Sequence, residues 1–148
     1  MLWHICDLAI QLEKERMRGR TIALVNGAFD IIHFGHVRLF ALAKQRADIV
    51  VAALDTDRRV KTRKGPGRPV CGLTERAEVL GSLRSVDYVT SFDSLVEYRR
   101  LFDSFQPDLL VIGGEYRDKT VNSALVKEVV YAPIVKHTSD LLKRIGIN

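Results

Sequence analysis

Thr21-Ile22-Ala23-Leu24-Val25 runs directly into Asn26-Gly27-Ala28-Phe29-Asp30-Ile31-Ile32-His33-Phe34-Gly35-His36, and this stretch decides how the whole chain folds. The first five residues are a compact apolar run, which suits a strand buried in a parallel sheet. A glycine at position 27 lets backbone amides come close to a phosphate. From His36 to Arg46, apolar and basic residues alternate at helical spacing, so the stretch predicts strand, turn and helix. The N–H groups and positive dipole end of such a helix attract anions. His33 and His36 flank Gly35 closely enough to meet one ligand across the turn, and each can donate a hydrogen bond to a phosphate oxygen. That suits phosphoryl or nucleotidyl transfer, where charge grows on the equatorial oxygens of the attacked phosphorus. A metal centre is the competing use of paired histidines, but no third ligand follows at a helpful spacing.

Outward from this unit the pattern repeats. Ile49 to Leu54 reads as a second buried strand, Val86 to Val89 as a third and Leu109 to Ile112 as a fourth, ending at Gly113-Gly114. Val129 to Val135 reads as a fifth, placed at an edge by Pro133. Between them, Thr74 caps a helix running through Leu83, and Ser94 to Phe105 is a helix ended by Pro107. A last helix follows Thr138. Leu2, Ile5, Ala9 and Leu12 make a short amphipathic helix, so residues 1–18 are expected to lead into one domain spanning 19–148. Strands alternating with helices predict an α/β fold: a single, Rossmann-like open parallel sheet with helices on both faces. Ligands in such folds bind beyond the carboxyl ends of the strands, where the glycines and histidines fall.

The 148 residues fit one domain with a proper core. No apolar run approaches the roughly 18 residues needed to cross a bilayer. Cys6 and Cys71 form neither a metal spacing nor a disulfide framework, and a cytoplasmic location is expected. The net charge of +5 is concentrated. Arg58, Arg59, Lys61, Arg63, Lys64 and Arg68 occur without an intervening acid, and outside this loop the chain is slightly acidic. Charge focused on one loop suits a local anion such as phosphate. A nucleic-acid-binding module is the rival from another class, but it would interleave aromatic residues with the basic ones for stacking, and this loop has none.

The motif Gly27-x-Phe29-Asp30-x-x-His33-x-Gly35-His36 resembles the signature of the cytidylyltransferase-like nucleotidyltransferases. The best match within them is the adenylyltransferase that makes ADP-heptose from heptose 1-phosphate. The resemblance covers about residues 19–145. It includes Thr56-Asp57, Lys61, Lys64-Gly65, Arg68-Pro69-Val70, Glu75-Arg76, Val86-Asp87, Pro107-Asp108, Gly113-Gly114-Glu115-Tyr116 and Thr138-Ser139.

The resemblance implies transfer of AMP from ATP to a sugar phosphate, with in-line attack at the α-phosphorus and Mg²⁺ arriving on the triphosphate. His33 and His36 would steady the transition state, with Lys61 and Lys64 as further catalytic groups. Lys61, Arg63 and Lys64 would take the acceptor's phosphate or the triphosphate tail. Gly27, Ala28, Phe29, Asp30, Gly35 and Arg76 would line the nucleotide site, Gly113, Gly114 and Glu115 would frame the base and ribose, and Thr138 and Ser139 would bind the β- and γ-phosphates. Relatives are commonly dimers, so a homodimer is expected. CTP with glycerol 3-phosphate is the alternative pair, although those enzymes begin the motif Gly-Thr-Phe-Asp where this chain has Asn26-Gly27-Ala28-Phe29-Asp30. A flavin-type adenylyltransferase and a non-catalytic nucleotide sensor are the remaining alternatives. Departures at Ala47, Leu54-Asp55, His137 and the stretch 116–135 bear on the acceptor rather than on the reaction.

Overall fold

The computed structural model describes residues 1–116, 125–133 and 143–144. Six strands form one sheet: β1 (Leu2–Trp3), β2 (Ile22–Gly27), β3 (Ile49–Asp55), β4 (Tyr88–Phe92), β5 (Leu109–Gly113) and β6 (Glu128–Ala132). All pairings are parallel, in the order β1-β4-β3-β2-β5-β6. The helices are α1 (Ile5–Met17), α2 (Phe34–Arg46), α3 (Asp57–Lys64), α4 (Leu73–Gly81) and α5 (Leu95–Phe105), with a 3₁₀ turn at Gly114–Tyr116.

Strand periodicity sorts the core into two layers. Ala23 and Val25 of β2, with Val50, Ala52 and Leu54 of β3, face α2 and α4 through Leu39, Phe40, Ala43, Ala77 and Leu80. Ile22 and Leu24, with Ile49, Val51 and Ala53, face α1 and α5 through Leu8, Leu12, Leu101, Phe102 and Phe105. The central strands read as unbroken apolar runs because both faces are covered. The chain steps from β2 to β3 to β4 on one side, then crosses back to place β5 on the other side of β2. That reversal opens a crevice between β2 and β5 at the strands' carboxyl ends.

Four expectations need adjustment. Residues 1–17 belong to the sheet and its covering layer, since Leu2 pairs with Val89, Trp3 with Thr90, and Leu8 and Leu12 are buried. The basic run is largely helical. Thr56 caps α3 with its side-chain oxygen, Asp57 stands in the first turn, and Lys61, Arg63 and Lys64 stand in the last, charges that match the helix dipole. Gly72, not Thr74, is the N-cap of α4, with Glu75 Oε2 accepting its N–H at 2.7 Å. β4 starts at Tyr88 because Asp87 is occupied as a bracket, accepting from Val50 N–H at 2.7 Å and from Lys44. β6 lies at the sheet edge, as Pro133 implied, and Thr138 falls outside the described residues.

Candidate nucleotide site

His33 is the N-cap of α2. Its Nδ1 accepts from the Gly35 N–H at 3.1 Å, and His36 Nδ1 accepts from the His33 N–H at 3.4 Å. This is the reciprocal geometry of a capping box, built from two imidazoles. A ring nitrogen that accepts carries no proton, so each neutral ring holds its proton on Nε2, as a donor. The rings lie 3.9 Å apart between centroids, tilted by 33°. The motif spacing therefore brings both histidines to one point at a helix amino end, beside the β2–β5 crevice.

Phe29 explains how the turn is held. It is a buried, non-glycine residue at φ 47°, a left-handed conformation that the surrounding contacts must over-determine. Its ring meets the edge of His36 at 5.4 Å and Phe40 at 5.0 Å. A Cβ on Gly27 would stand 3.1 Å from that ring, so the glycine is what lets the ring fold back beneath the strand end. Phe29 and Ala28 are thus packed into the wall of the turn, and Gly35 lies inside the first turn of α2.

Two residues expected at the nucleotide do other work. Arg76 is 1% exposed. Its Nε donates to Cys71 O at 3.0 Å, Nη1 to Ala28 O, and Nη2 to Asp55 O at 3.0 Å and Asp57 Oδ1 at 2.6 Å. The guanidinium is committed to backbone carbonyls, so it buckles the motif turn to β3 and the α3–α4 connection. Asp30 likewise accepts from Arg68 Nη1 at 2.7 Å, Val70 N–H at 2.8 Å and Cys71 N–H at 2.9 Å. Burial pushes its carboxyl up, but those donors outweigh it and hold the group below the usual carboxylate value.

The basic segment is largely compensated by acids that the composition did not place. Asp55, buried at the end of β3, takes both Arg59 and Arg63. Asp93 takes Arg58, and Asp30 takes Arg68. Arg63 is consequently shared with Asp55, at 3.2 Å. Lys61 and Lys64 stay exposed on α3. Although the side chain is exposed, desolvation by the chain around its ammonium, with Arg68 and Arg63 alongside, pulls Lys64 below the usual lysine value, and Asp30 and Asp55 pull the other way. What the sequence did not reveal is the part of Asp55 and Asp57 as partners of Arg59, Arg63 and Arg76. The available signal was the spacing of Asp55, four residues before Arg59; Asp57 meets Arg76, 19 residues on, which no local spacing announces.

At the end of β5, a Cβ on Gly113 would come within 2.5 Å of Glu115 Cδ, so the glycine makes room for the Glu115 carboxylate above the strand end. Gly114 opens the 3₁₀ turn that carries Glu115. Thr138 and Ser139 lie outside the described residues.

Residues 24–144 match the family model described as Cytidylyltransferase-like. The chain is 42% identical over 110 residues to the Bifunctional protein HldE of Syntrophotalea carbinolica, covering 74% of this chain and 22% of that protein. It is 42% identical over 133 residues to the protein of the same name from Wolinella succinogenes, covering 88% and 28%. The chain thus spans only 22% to 28% of the length of these curated relatives. Among solved structures, it is similar to the lipopolysaccharide core biosynthesis protein from Thermoplasma volcanium GSS1, with a TM-score of 0.63 and 21% identity over 80% of this chain and 99% of that one. Pantoate-beta-alanine ligase from Francisella tularensis, complexed with beta-gamma ATP and beta-alanine, gives a TM-score of 0.57 and 17% identity over 88% and 67%. At these identities the two structures speak for the fold alone.

Proposed function

Because the chain belongs to the cytidylyltransferase-like family, we propose that it moves AMP from ATP onto a sugar phosphate of the heptose 1-phosphate type and releases pyrophosphate. The observation that carries this reading is the His33–His36 pair, stacked at the amino end of α2 with both Nδ1 atoms tied to backbone. With the protons on Nε2, both rings are donors, and donors fixed in advance stabilise charge that develops only as the α-phosphorus is attacked.

In this mechanism an oxygen of the acceptor phosphate attacks the α-phosphorus in line. Its new P–O bond forms as the bond to the β-phosphate oxygen breaks, and pyrophosphate departs. His33 and His36 donate to the α-phosphate. Lys61 and Lys64 take the acceptor's phosphate or the triphosphate tail, with Arg63 nearby but shared with Asp55. The Gly113-Gly114-Glu115 turn frames the base and ribose, and Thr138 and Ser139 bind the β- and γ-phosphates. Mg²⁺ would arrive bound to the triphosphate and supply charge neutralisation there, as an ion that binds substrate phosphates and retains several waters. The pairing of Arg58, Arg59, Arg63 and Arg68 with carboxylates supports a local phosphate site over an open nucleic-acid face.

The test is product identification by mass spectrometry from a panel of triphosphates and phosphorylated sugars and polyols. The expected product is an ADP-sugar with one pyrophosphate per turnover. A CDP-polyol would replace this substrate pair by the glycerol 3-phosphate alternative. Absence of pyrophosphate release with every pair would refute the catalytic reading.

A further inference from the structure

Asp30 stands in the middle of the histidine turn, yet its three hydrogen bonds given above all come from the connection between α3 and α4. Its carboxylate is 2% exposed and its partner Arg68 19%. One residue further on, Cys71 donates its N–H to Asp30 and receives Arg76 at its carbonyl, and Arg76 reaches back to Ala28 O. The connection is therefore stapled to the turn on both sides of Cys71. The tip before it is different. Gly65, at φ 99°, and Gly67 have no atom within 4 Å of where a Cβ would stand. Arg68 marks the boundary between this unpacked tip and the stapled stretch, and Lys64 immediately precedes the tip.

We propose that Arg68 is a positioning residue: its ion pair with Asp30 latches the glycine tip to the histidine turn and fixes where Lys64 meets a phosphate anhydride. This rests on the reading of Lys64 under Proposed function. Without the latch, the tip from Gly65 to Gly67 gains freedom, and Lys64 loses a neighbouring cation while Asp30 loses its guanidinium partner. Both changes favour the charged Lys64 ammonium, so the pH at which it reacts as a free amine rises.

The test compares the wild-type protein with Arg68→Gln, Asp30→Asn and Arg68→Lys, with circular dichroism melts to confirm folding. Lys64 is acylated across a pH series, read by peptide mass spectrometry, with inorganic pyrophosphate as the probe anion. Hydrogen exchange is followed at the amides of Val70 and Cys71. In the wild type, pyrophosphate slows Lys64 acylation. Arg68→Gln loses that protection, shifts the acylation profile to higher pH, and exchanges at Val70 and Cys71 about 10- to 100-fold faster, the worth of one charge-assisted hydrogen bond. Asp30→Asn likewise loses the protection and speeds the exchange but, because it removes a carboxylate that favours the ammonium, moves the acylation profile to lower pH, and Arg68→Lys, which keeps the charge, restores part of the protection. Wild-type protection, acylation profile and exchange in Arg68→Gln would overturn the latch, as would failure of pyrophosphate to protect Lys64 in the wild type. A wild type that pyrophosphate protects but that is inactive on every sugar phosphate would instead sink the sugar-phosphate reading and leave the latch standing.

Discussion

Replacing Arg76 with Ala separates a buckle from a nucleotide contact. The side chain is 1% exposed, and its donors to Ala28 O and Asp55 O are bonded in buried surroundings. A buried acceptor deprived of its partner costs about 1–3 kcal/mol, so these two carbonyls alone put the loss at about 2–6 kcal/mol. The Asp57 carboxylate adds little, because it is half exposed and regains water. Set against a total stability of about 5–15 kcal/mol for a domain, this is a large fraction. Arg76→Lys should recover little of it, since one ammonium cannot reproduce the planar fork that serves several carbonyls at once. The assay is urea denaturation followed by far-UV circular dichroism, with kcat and KM measured where the variant remains folded. A loss below about 1 kcal/mol, within the range of ordinary surface substitutions, together with a large fall in kcat/KM, would refute the buckle. It would return Arg76 to the nucleotide.

His33→Ala and His36→Ala should each lower kcat by about 10²–10³, and His33→Ala should also cost about 1 kcal/mol of stability as a lost N-cap; a variant keeping more than about a third of kcat has no transition-state contact to lose. Gly113→Ala should leave stability nearly unchanged, since the Glu115 side chain can swing aside, but should raise KM for the triphosphate as the carboxylate is displaced from the strand end; an unchanged KM would remove Glu115 from the site. Asp30 has a folded pKa below the unfolded value of 3.8. Its stabilising contribution is therefore complete above 3.8 and lost as pH falls through the folded value. Asp30→Asn should flatten the stability profile in the acid range below the unfolded value of 3.8, and a wild-type slope in that variant would show that the carboxylate is not the titrating group.

The strand-turn-helix unit was legible because a buried parallel strand leaves an unbroken apolar run and the motif stands at its end. The same periodicity recovered β3, β5 and α5 closely. Two-residue β1 has too few positions for any alternation to show, and only its pairing with Val89 and Thr90 defines it. The charged run of α3 carries one buried apolar residue, Val60, so it offered no helical stripe; its helix is set by Thr56, Asp57 and the anchoring of Arg59 and Arg63 on Asp55. The site residues divide on the same physical line. His33 and His36 act through local geometry at a helix start, which spacing encodes. Arg76 and Asp30 are defined by partners 48 and 38 residues away, Ala28 and Arg68, and a charge in or near a motif does not by itself reveal whether it faces a ligand or a neighbouring loop.

Trp3 is the single tryptophan of the chain, and it sits on the outermost strand, edge-on to Tyr88 at 5.5 Å, with its carbonyl accepting from Thr90 Oγ1. Indole emission therefore reports the rim of the sheet, where Trp3 is half-buried against the margin of the α1–α5 layer, while the central strands carry no indole. Detaching a rim held by two residue pairings exposes far less apolar surface than opening the core, so it belongs to the low-energy end of local unfolding. Fluorescence and far-UV circular dichroism consequently read different events in this protein: the distance between their denaturation midpoints measures how tightly the first three residues are coupled to the rest of the fold, without a label being added.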